Sequence, residues 1–429
     1  MCHRGSMHCD CTGTRTGNRT LRTLRTMHRS AADSAPDFPG EAGSDRTKAF
    51  MALDAIDQQI LLQITRHRQA TAPLSLSQCL LEGEHFRTHL ERLQNANILQ
   101  LSADGKRVAI TGGDARVIAV DMGATNTRYI VADLAGNILA TFRDHAAAQS
   151  PEAALDQVER RMSELAVEHC AHGGLKAIAM GVPSAVHPQT GRLISANNLE
   201  GWENVAMCER LRERFGVSVL LDNDCNMAAV GEYWQGAAIG VGNFIFVAIG
   251  TGIGSGIFID HKLYRGRTGS AGEIYLMNVD WRRWNEDFAE TGHVESFASG
   301  VGIAEQARQA GLLKRSARTT ELDDRDSRRV FAAMRRGNPL AATVVDEVFT
   351  VLGVAIANMI TTLDPELVVL NGGLTKGDPN LLLGIVHRVV HHIHRDVPNI
   401  RISALGDRAQ LYGSLWTALL DVYASMTAD

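Results

Sequence analysis

The sequence predicts an α/β protein of two similar lobes, preceded by a small module of helices and a hairpin. From Arg116 onward, apolar runs with the length of strands alternate with helical segments, which favours sheets covered by helices. Two of these runs end in a glycine-rich turn, and one such turn in each half suggests a duplicated lobe with a cleft between the copies. Ahead of them, a helical periodicity that begins at Leu53 is followed by a hairpin pattern, which predicts the separate module.

The composition excludes several classes of protein. The chain has 429 residues, 45% of them apolar and 21% charged, so it is long enough for two or three globular domains. A net charge of -5 supplies no overall attraction for nucleic acid, and DNA binding would need a local patch. No window approaches eighteen uninterrupted apolar residues, so no membrane span is expected. The seven cysteines are irregularly placed and do not suggest a disulfide framework, and we expect a cytoplasmic protein.

Residues 1–50 differ from the rest of the chain. They are rich in Arg, Thr, Ser and Gly, show almost no periodic hydrophobicity and lack the apolar core of a secretory signal, so we expect a disordered tail. The Cys2–Cys11 cluster of cysteines and histidines could bind a metal, but it is more simply incidental to an unstructured tail. Met51, just before the ordered pattern begins, could be the true start. We place the small module at 51–113 and the two-lobed domain at 114–429.

The small module is predicted to contain three helices and a hairpin. Apolar residues at spacings of three and four give the first helix one apolar face over Ile56–Ile64. A second short helix fits Leu74–Leu81, and a third fits Glu84–Asn97. Two short apolar runs then flank the Asp104-Gly105 pair, which favours a tight hairpin turn. This α+β order is the outline of a winged helix-turn-helix.

In a winged helix-turn-helix, the recognition helix enters the major groove of DNA. Four apolar residues of the predicted third helix and its end would face the core of the module: Phe86, Leu90, Leu93 and Ile98. The residues presented to DNA would be His85, Arg87, Thr88, His89 and Arg92. The alternative is a helical cap that only packs on the larger domain, because Glu82, Glu84 and Glu91 would face phosphates unfavourably.

The two glycine-rich turns are the main pattern of the larger domain. The first, Asp121–Thr127, follows the apolar run Val117–Val120. The second, Gly250–Gly256, follows the apolar run Phe244–Ile249. Each turn lies where a predicted strand ends, which suits a loop whose backbone N–H groups approach an anion closely. Either turn alone is more often structural than functional, but a pair can grip a nucleotide's phosphates from two sides.

A carboxylate and a third glycine turn extend this pattern. Between the two loops lies Leu221–Asn226, in which Asp224 is the candidate base, with a plain surface position as the alternative. Near the C-terminus, a short apolar strand runs into Gly372-Gly373, ahead of a predicted helix at Leu381–Arg388. Such a turn can hold a flat ligand such as adenine against its backbone. Together these features favour phosphoryl transfer from ATP.

The region from Arg116 to Ala424 resembles the ROK family, which is named for repressors, open reading frames and sugar kinases. The resemblance rests on blocks that occur in the family's order: Asp121–Arg128, Gly181–Pro183, Asn198–Trp202, Asn223–Asn226, Gly250–Gly256, Gly266–Glu273 and Asn371–Leu374. It implies an actin-like, two-lobed ATPase fold that phosphorylates a hexose or an N-acetylated amino sugar.

The resemblance also implies roles for single residues. Asp224 would be the general base that takes the proton of the attacking sugar hydroxyl. The sugar would be held by Asn198, Asn223, Asp224, Glu273 and Glu295. The ATP phosphates, with Mg²⁺ bridging them, would be held by Asp121, Gly123, Thr125, Thr127, Gly250, Thr251, Gly252 and Gly254. Adenine would be bordered by Gly372 and Gly373. Simpler roles stay open, with Asn198 and Asn223 as turn formers and Glu273 as a helix cap.

One block departs from the family pattern. Family members usually follow the glutamate with Gly-His and then with closely spaced cysteines that bind a structural zinc. Here Leu276 occupies the histidine position, 280–288 contains no cysteine, and His293 stands where a cysteine is usual. A zinc site needs about four N or S ligands, so we expect no structural zinc and no other metal site in this loop. We expect Trp281 and Trp284 to stabilise the loop by apolar packing instead.

Three functions are open for a chain with these parts. The first is a regulator that keeps a working kinase site, and the second is a repressor that only senses a sugar. The third is a metabolic sugar kinase whose module no longer binds DNA. That last class would be a glucokinase or a kinase of N-acetylmannosamine or N-acetylglucosamine. The intact loops and Asp224 weigh against the pure sensor, and the module weighs against the simple kinase. We therefore expect a sugar-responsive regulator with ATP-dependent sugar kinase activity. Its partners would be a sugar, ATP, operator DNA and, as a family expectation, further copies of itself in a homodimer or higher oligomer.

Overall fold

The structure is a computed structural model. It describes residues 53–66, 74–76, 84–123, 125–145, 150–170, 174–195, 201–202, 205–288, 291–313 and 324–428. All of these belong to one compact unit. The predicted disordered tail and its Cys2–Cys11 cluster lie outside the described residues.

The N-terminal module contains two described helices and a three-stranded antiparallel sheet. Its elements in chain order are α1 (Ala55–Arg66), β1 (Leu74–Ser75), α2 (Glu84–Asn95), β2 (Leu99–Leu101) and β3 (Arg107–Ile110). The sheet order is β1-β3-β2. The predicted hairpin is present, and Gly105 in its turn has a φ of +65°, which glycine adopts without a Cβ clash. The four apolar residues predicted to face the core are all buried.

The second predicted helix differs from the structure at its beginning. Leu74 and Ser75 form a strand that pairs with β3, where Leu74 lies opposite Val108. Leu74 is 5% exposed, so it contributes to the module's core from the sheet and not from a helix. The remainder of that predicted helix, residues 77–81, lies outside the described residues. A tertiary strand pairing has overridden the local pattern here.

The larger domain is built on two five-stranded sheets with the same topology. The strands of the first half are β4 (Arg116–Met122), β5 (Asn126–Asp133), β6 (Ile138–His145), β7 (Leu175–Val182), β8 (Ala185–Val186), β9 (Leu193–Ser195) and β10 (Ser218–Asn223). Those of the second half are β11 (Phe244–Ile249), β12 (Ile253–Ile259), β13 (Lys262–Tyr264), β14 (Leu367–Asn371) and β15 (Asn399–Ile402). The sheet orders are β10-β7-β4-β5-β6 and β13-β12-β11-β14-β15. In each sheet an antiparallel meander of three strands continues into two parallel strands. The predicted duplication of a lobe is therefore confirmed.

Helices cover both faces of each sheet, which explains the continuous apolar runs. The helices are α3 (Pro151–His169), α4 (Met207–Phe215), α5 (Asp224–Gln235), α6 (His293–Ala298), α7 (Gly300–Gln309), α8 (Asp324–Arg335), α9 (Pro339–Leu363), α10 (Pro379–Ile393) and α11 (Ala409–Ala428). In β4, Val117 and Ala119 belong to the cluster around α5 and α11, whereas Ile118 and Val120 pack with α3 and α4. Both faces of the strand are thus buried, as in parallel sheets generally.

Helices α5 and α11 form the centre of the molecule. Most of their buried apolar residues belong to one continuous cluster with apolar residues of both sheets and with the core of the N-terminal module. The two helices approach each other closely at Gly231 and Gly413. A Cβ on Gly231 would overlap the carbonyl oxygen of Ala409, and a Cβ on Gly413 would overlap that of Met227. The crossing therefore requires glycine at both positions.

Among the described helices, α9 is long and apolar enough to cross a membrane by length and composition. It is also a core helix, because 56% of its most apolar 18-residue window is buried within the protein. Its buried side chains share a cluster with apolar residues of β11 and β14 in the second sheet and with α10. Its apolar character is explained by this packing.

Candidate active site

Asp224 is the first residue of α5, directly after β10 ends. The side chain of Asn223 caps the helix by accepting hydrogen bonds from the backbone N–H groups of Cys225 (2.8 Å) and Asn226 (3.3 Å). This capping is the turn-forming role that was one of two predictions for Asn223. Burial raises the pKa of Asp224 above its ordinary value, opposed by hydrogen bonding from Cys225. The helix start thus fixes one carboxylate at the edge of the cleft.

An ion pair between a buried carboxylate and a partly exposed arginine lies next to the helix that carries Asp224. Asp222 of β10 is 6% exposed and accepts hydrogen bonds from Arg265 Nε (2.7 Å) and Asn226 Nδ2 (2.7 Å). Arg265 follows β13, so the pair joins the first lobe to the loop that leads to Glu273. Sequence reasoning missed this pair, because the pattern around 221–226 does not distinguish Asp222 from its neighbour as the functional carboxylate.

Three of the predicted sugar-binding residues, Asp224, Glu273 and Glu295, lie close enough for their charges to interact electrostatically. Burial, together with the charges of Asp224 and Glu295, raises the pKa of Glu273 to about 7. Glu295, in α6, accepts a hydrogen bond from the backbone N–H of Ile253 (2.7 Å), and burial raises its pKa as well. Asn198 lies outside the described residues. The structure therefore brings Asp224, Glu273 and Glu295 into one acidic, largely desolvated site.

The raised pKa of Glu273 predicts a pH-dependent stability of the ligand-free protein. An acid whose pKa rises on folding keeps its proton longer in the folded state, so stability falls as pH rises from the ordinary value of 4.5 toward about 7. We expect Glu273→Gln to raise the Tm at pH 8 and to change it little at pH 4.5. Differential scanning fluorimetry from pH 4.5 to pH 8 measures the Tm of both proteins.

The control for this test is Glu347→Gln, which alters an exposed carboxylate on α9. It should leave the pH profile of the Tm unchanged. In both variants we expect a smaller decrease in stability with rising pH to remain. It comes from Asp121, because burial raises the pKa of that carboxyl to about 6. Equal Tm gains at pH 4.5 and pH 8 for Glu273→Gln would contradict the assignment.

The first glycine-rich turn begins at a buried carboxylate. Asp121, the next-to-last residue of β4, is 1% exposed and forms an ion pair with Arg128, which lies opposite it on β5. Its pKa stays raised because burial outweighs the Arg128 charge, and Asp224 and Asp407 add to the shift. Within the turn, the N–H of Gly123 donates to Asn126 O (3.0 Å). The remaining predicted ligands differ in exposure: Thr125 is exposed and Thr127 is buried.

The glycines of the second glycine-rich turn have different surroundings. A Cβ on Gly252 would lie 2.7 Å from the Glu295 carboxylate, and one on Gly254 would lie 2.6 Å from Cys225 Sγ. These two glycines let the loop pack against the acidic site and the start of α5. At Gly250, in contrast, no described atom lies within 4 Å of a Cβ position. Open space for a ligand is thus found at Gly250, with the exposed Thr251 beside it.

A cleft lies at the carboxyl ends of the central strands, and the start of α5 and the glycine turn after β14 both line it. Its lining is Arg128, Asp224, Cys225, Ala228, Phe246, Ala248, Asn371, Gly372, Gly406, Asp407 and Gln410. Gly372 has a φ of +108° and lies against β11, and at Gly373 no described atom meets a Cβ position. Clefts at this end of parallel strands are the usual ligand sites of open α/β sheets.

Of the residues that line this cleft, sequence reasoning gave a role only to Asp224 and Gly372, and the charged and polar residues that it missed include Arg128, Asp407 and Gln410. Arg128 stood in a recognised block without a role, and Asp407 and Gln410 belong to no motif. Asp407 forms an ion pair with Lys376 Nζ (2.6 Å), which lowers its pKa together with Arg128 and Arg143. Arginine and lysine at the mouth of a cleft suit the phosphates of a nucleotide.

The loop after Glu273 is stabilised by an aromatic cluster. His293 is 4% exposed, its Nδ1 accepts a hydrogen bond from the N–H of Val279 (3.1 Å), and its ring contacts Phe288 and Phe297. The Arg283 guanidinium lies over both phenyl rings, at 5.0 and 4.7 Å from their centroids. Burial, together with the Arg283 charge, lowers the pKa of His293, which favours the neutral ring that accepts this bond.

The prediction that the two tryptophans stabilise this loop by packing is wrong. Trp281 is 75% exposed and Trp284 is 76% exposed, and Leu276 is 58% exposed. Trp281 stacks with the neighbouring Arg282 at the surface, with 5.0 Å between the guanidinium carbon and the ring centroid. The two phenylalanines and His293 supply the packing because α6 places His293 and Phe297 on the inner side of the loop.

Because a cation–aromatic cluster stabilises this loop, we expect its stability to be independent of zinc. Incubation with EDTA should shift the Tm by less than about 1 °C, whereas loss of a structural zinc costs far more. Phe297→Ala should lower the Tm, since it removes a partner of both His293 and Arg283. A large Tm loss on chelation that zinc reverses would overturn this interpretation.

The structure separates the predicted DNA-binding residues into two groups. Arg87 and Thr88 are exposed on α2. His89 and Arg92 instead contact Asp57 of α1, at 3.0 Å (His89 Nδ1) and 2.8 Å (Arg92 Nη1). The side chain of His85 is outside the described part of the structure. In the hairpin, two exposed basic residues were missed by the sequence reasoning: Lys106 and Arg107.

Two matching α/β lobes that meet at a cleft with a helix-borne carboxylate define a protein of the actin-like sugar kinase fold. The ROK family model matches residues 117–420. The chain therefore belongs to the ROK family.

Curated relatives of the chain include both kinases and repressors. A glucokinase from Halalkalibacterium halodurans is 31% identical over 313 residues, covering 70% of this chain and 93% of that protein. A xylose repressor from Caldicellulosiruptor bescii is 25% identical over 321 residues, covering 71% of this chain and 78% of the repressor. The family membership alone thus does not separate the two functions.

Solved structures show the same division. A ROK family glucokinase from Streptomyces griseus, in complex with glucose and AMPPNP, matches with a TM-score of 0.59 and 26% identity, covering 71% of this chain and 99% of that one. A ROK family transcriptional regulator, a homologue of the E. coli MLC protein, matches with a TM-score of 0.68 and 19% identity. This second likeness covers 87% of this chain and 99% of that one, and shows the fold.

Proposed function

We propose that this protein is a sugar-responsive transcriptional regulator whose two-lobed domain phosphorylates a hexose or an N-acetylated amino sugar with ATP. The observation that carries the proposal is the cleft in which Asp224, at the start of α5, lies with Arg128 and Gly372. The glucokinase relatives support the catalytic half. The xylose repressor relatives and the N-terminal module support the regulatory half.

In the proposed reaction, the sugar hydroxyl attacks the γ-phosphorus of ATP and gives its proton to Asp224. The bond from the γ-phosphorus to the bridging oxygen breaks, ADP leaves, and the sugar phosphate is formed. Asp224 suits the role of base because the Asn223 cap fixes the start of α5, while burial raises the basicity of the carboxylate. Arg128 and Lys376 would neutralise charge on the phosphates, and the turn at Gly372 would border adenine.

The acidic residues also fit a magnesium ion. Asp121 is buried, and its burial keeps its pKa raised even though Arg128 pairs with it, with smaller contributions from the charges of Asp224 and Asp407. Carboxylate oxygens together with phosphate oxygens are the ligands that Mg²⁺ prefers. Asp121 would hold the ion together with the phosphate oxygens, and the ion would neutralise charge on the transferred phosphate, which leaves Asp224 free to act as the base.

The sugar would bind at Glu273 and Glu295, next to Asp224, with Asn198 and Asn223 as further contacts. The carboxylates of Glu273 and Glu295 can accept hydrogen bonds from sugar hydroxyls. Such donors would offset the electrostatic repulsion between the two carboxylates, which favours binding. Leu276 offers no hydrogen bond where the family has a histidine. We therefore propose a substrate whose recognition relies on carboxylates more than on that histidine.

For DNA, we propose that α2 lies in the major groove with Arg87 and Thr88 toward the bases, assisted by His85. Lys106 and Arg107 of the hairpin would contact the phosphate backbone. His89 and Arg92 would act indirectly, because both pair with Asp57 and so fix α2 on α1. A homodimer would present two such helices to a palindromic operator, in the cytoplasm where sugar, ATP and DNA are all accessible.

The DNA-binding half is tested with duplexes enriched from a randomised pool by the full-length protein. We expect Arg87→Ala to weaken binding of the enriched duplex about 5- to 150-fold, the range of about 1–3 kcal/mol for a base contact. Arg336→Ala, at an exposed arginine of the distant second lobe, is the matched control and should bind normally. Failure to enrich any duplex would favour the metabolic sugar kinase instead.

The catalytic half is tested by coupled ATP consumption with hexoses and N-acetylated amino sugars. Sugar-dependent turnover is expected with at least one of them. Measurable sugar binding without turnover on the whole panel would favour the non-catalytic sensor-repressor.

A further inference from the structure

The helix that begins with Asp224 ends against the N-terminal module. At the C-terminus of α5, Arg66 Nε donates to the carbonyl oxygen of Trp234 (2.6 Å), and the same guanidinium donates to the carbonyl oxygen of Tyr233. Arg66 is the last residue of α1. The final carbonyls of a helix have no partner within it and carry partial negative charge, so a guanidinium is a favourable cap.

Two side-chain contacts strengthen this junction. Trp234 Nε1 donates to Thr65 Oγ1 (3.0 Å), and Trp234 and Thr65 are buried at 0% and 1% exposure. Gln59 Nε2 donates to the hydroxyl of Tyr233 (2.9 Å). One face of α1 is therefore bonded to the last turn of α5 through three residues: Gln59, Thr65 and Arg66.

The junction continues from α1 to the exposed face of α2. Asp57 of α1 is fully buried and accepts from His89 and Arg92 of α2. A buried carboxylate with two such partners resists separation of the helices, because breaking it would leave a charge without compensation. A displacement of α1 therefore moves α2, with Arg87 and Thr88 on its outer face.

The helix between these ends is short and stiff. Twelve residues of α-helix span about 18 Å, and the glycine crossing with α11 restricts sideways movement of α5 at Gly231. Motion of one end is thus passed to the other along the helix axis.

We propose that α5 couples the cleft to the N-terminal module, with Arg66 as a positioning residue for Asp224. A ligand that shifts Asp224 would then shift α1 and α2, and a ligand on α2 would change affinity in the cleft by the same factor. This coupling rests on the proposed function for its biological meaning. The mechanical link itself is independent of substrate and DNA.

The test is hydrogen–deuterium exchange of the full-length, ligand-free protein. In Arg66→Gln, we expect amides of the first turn of α5, residues 225–228, to exchange about 2- to 30-fold faster than in the wild type, as for residues along a coupled network. Arg66→Lys keeps a cation at the helix end and should restore part of the protection. Glu91→Gln, which alters an exposed carboxylate of α2 in the same module, is the control and should leave residues 225–228 unchanged.

Faster exchange confined to the last turn of α5, residues 232–236, would overturn the proposal, because it would show local fraying without transmission. If Arg66→Gln does not fold, Thr65→Val is used instead, because it removes only the hydrogen-bond acceptor of the Trp234 indole. Its hydrogen–deuterium exchange is compared with that of the wild type in the same two segments, residues 225–228 and 232–236. Because this readout needs no turnover, its failure is distinguishable from failure of the proposed function.

Kinetics separate positioning from plain stability. With a sugar that supports turnover, Arg66→Gln should lower kcat about 2- to 30-fold with a smaller change in the KM for sugar, and Arg66→Lys should recover part of kcat. An unchanged kcat in Arg66→Gln would contradict the positioning role of Arg66.

Discussion

Replacement of Asp224 by asparagine is expected to lower sugar-dependent ATP consumption about 10²- to 10⁴-fold, the usual contribution of a general base. Asparagine keeps the size of the side chain and can still accept the N–H of Cys225, as the carboxylate does now at 2.8 Å. It cannot take the proton of the attacking hydroxyl. The loss should therefore fall on kcat, while sugar affinity changes only a few fold.

The measurement is a coupled assay of ADP release, with D-glucose first because glucokinases are among the relatives. Asp114→Asn, which alters an exposed aspartate in the segment between the module and β4, is the matched control and should keep wild-type turnover. If Asp224→Asn retained kcat within a few fold of the wild type, Asp224 would not be the base. Glu273, whose pKa of about 7 also suits a base, would then be the next candidate.

Alanine at Gly231 or Gly413 is expected to destabilise the protein by at least about 1–3 kcal/mol, the usual cost of overpacking. At both sites the new methyl group would overlap a backbone carbonyl oxygen of the facing helix, and backbone cannot move aside as a flexible side chain can. Since α5 also carries Asp224, separation of α5 from α11 should displace the base. Urea unfolding measures the first effect and the ADP-release assay the second.

The control for this pair is a glycine in another helix. Gly384→Ala, within α10, places its methyl group where no described atom lies within 4 Å. Alanine has the higher helix propensity, so this variant should be neutral or more stable by up to about 1 kcal/mol. Equal destabilisation by all three substitutions would contradict the close crossing of α5 and α11.

The elements that could be predicted from the sequence are those with a strong local pattern. The run Phe244–Ile249 is a strand over the predicted residues, because its alternate side chains pack on opposite cores. The hairpin around Asp104-Gly105 follows from turn chemistry that acts within a few residues. The helix predicted at Leu381–Arg388 is present within a longer one, Pro379–Ile393. Asp378 caps this helix, which therefore begins two residues before the predicted start.

Other features depended on partners far away in the chain. Leu74 and Ser75 became a strand through pairing with residues of β3. Trp281 and Trp284 were expected to pack because of their size, yet the inner positions of that loop went to Phe288, Phe297 and His293. The type of a side chain determines how favourable its burial is. Whether there is space to bury it depends on how the neighbouring helices and strands pack.

The sequence by itself determined the order of strands and helices, the duplicated lobe and the turns that can approach an anion. These follow from periodicity and backbone freedom, which act over a few residues. Only the tertiary structure decided which charged groups meet: Asp222 with Arg265, Asp121 with Arg128, and the inward pairing of His89 and Arg92 with Asp57. It also placed Arg66 at the end of the helix that starts with Asp224, 158 residues further along the chain. Electrostatic interactions act through space over a few ångströms, so the partners of a charge are decided by the packing of whole elements.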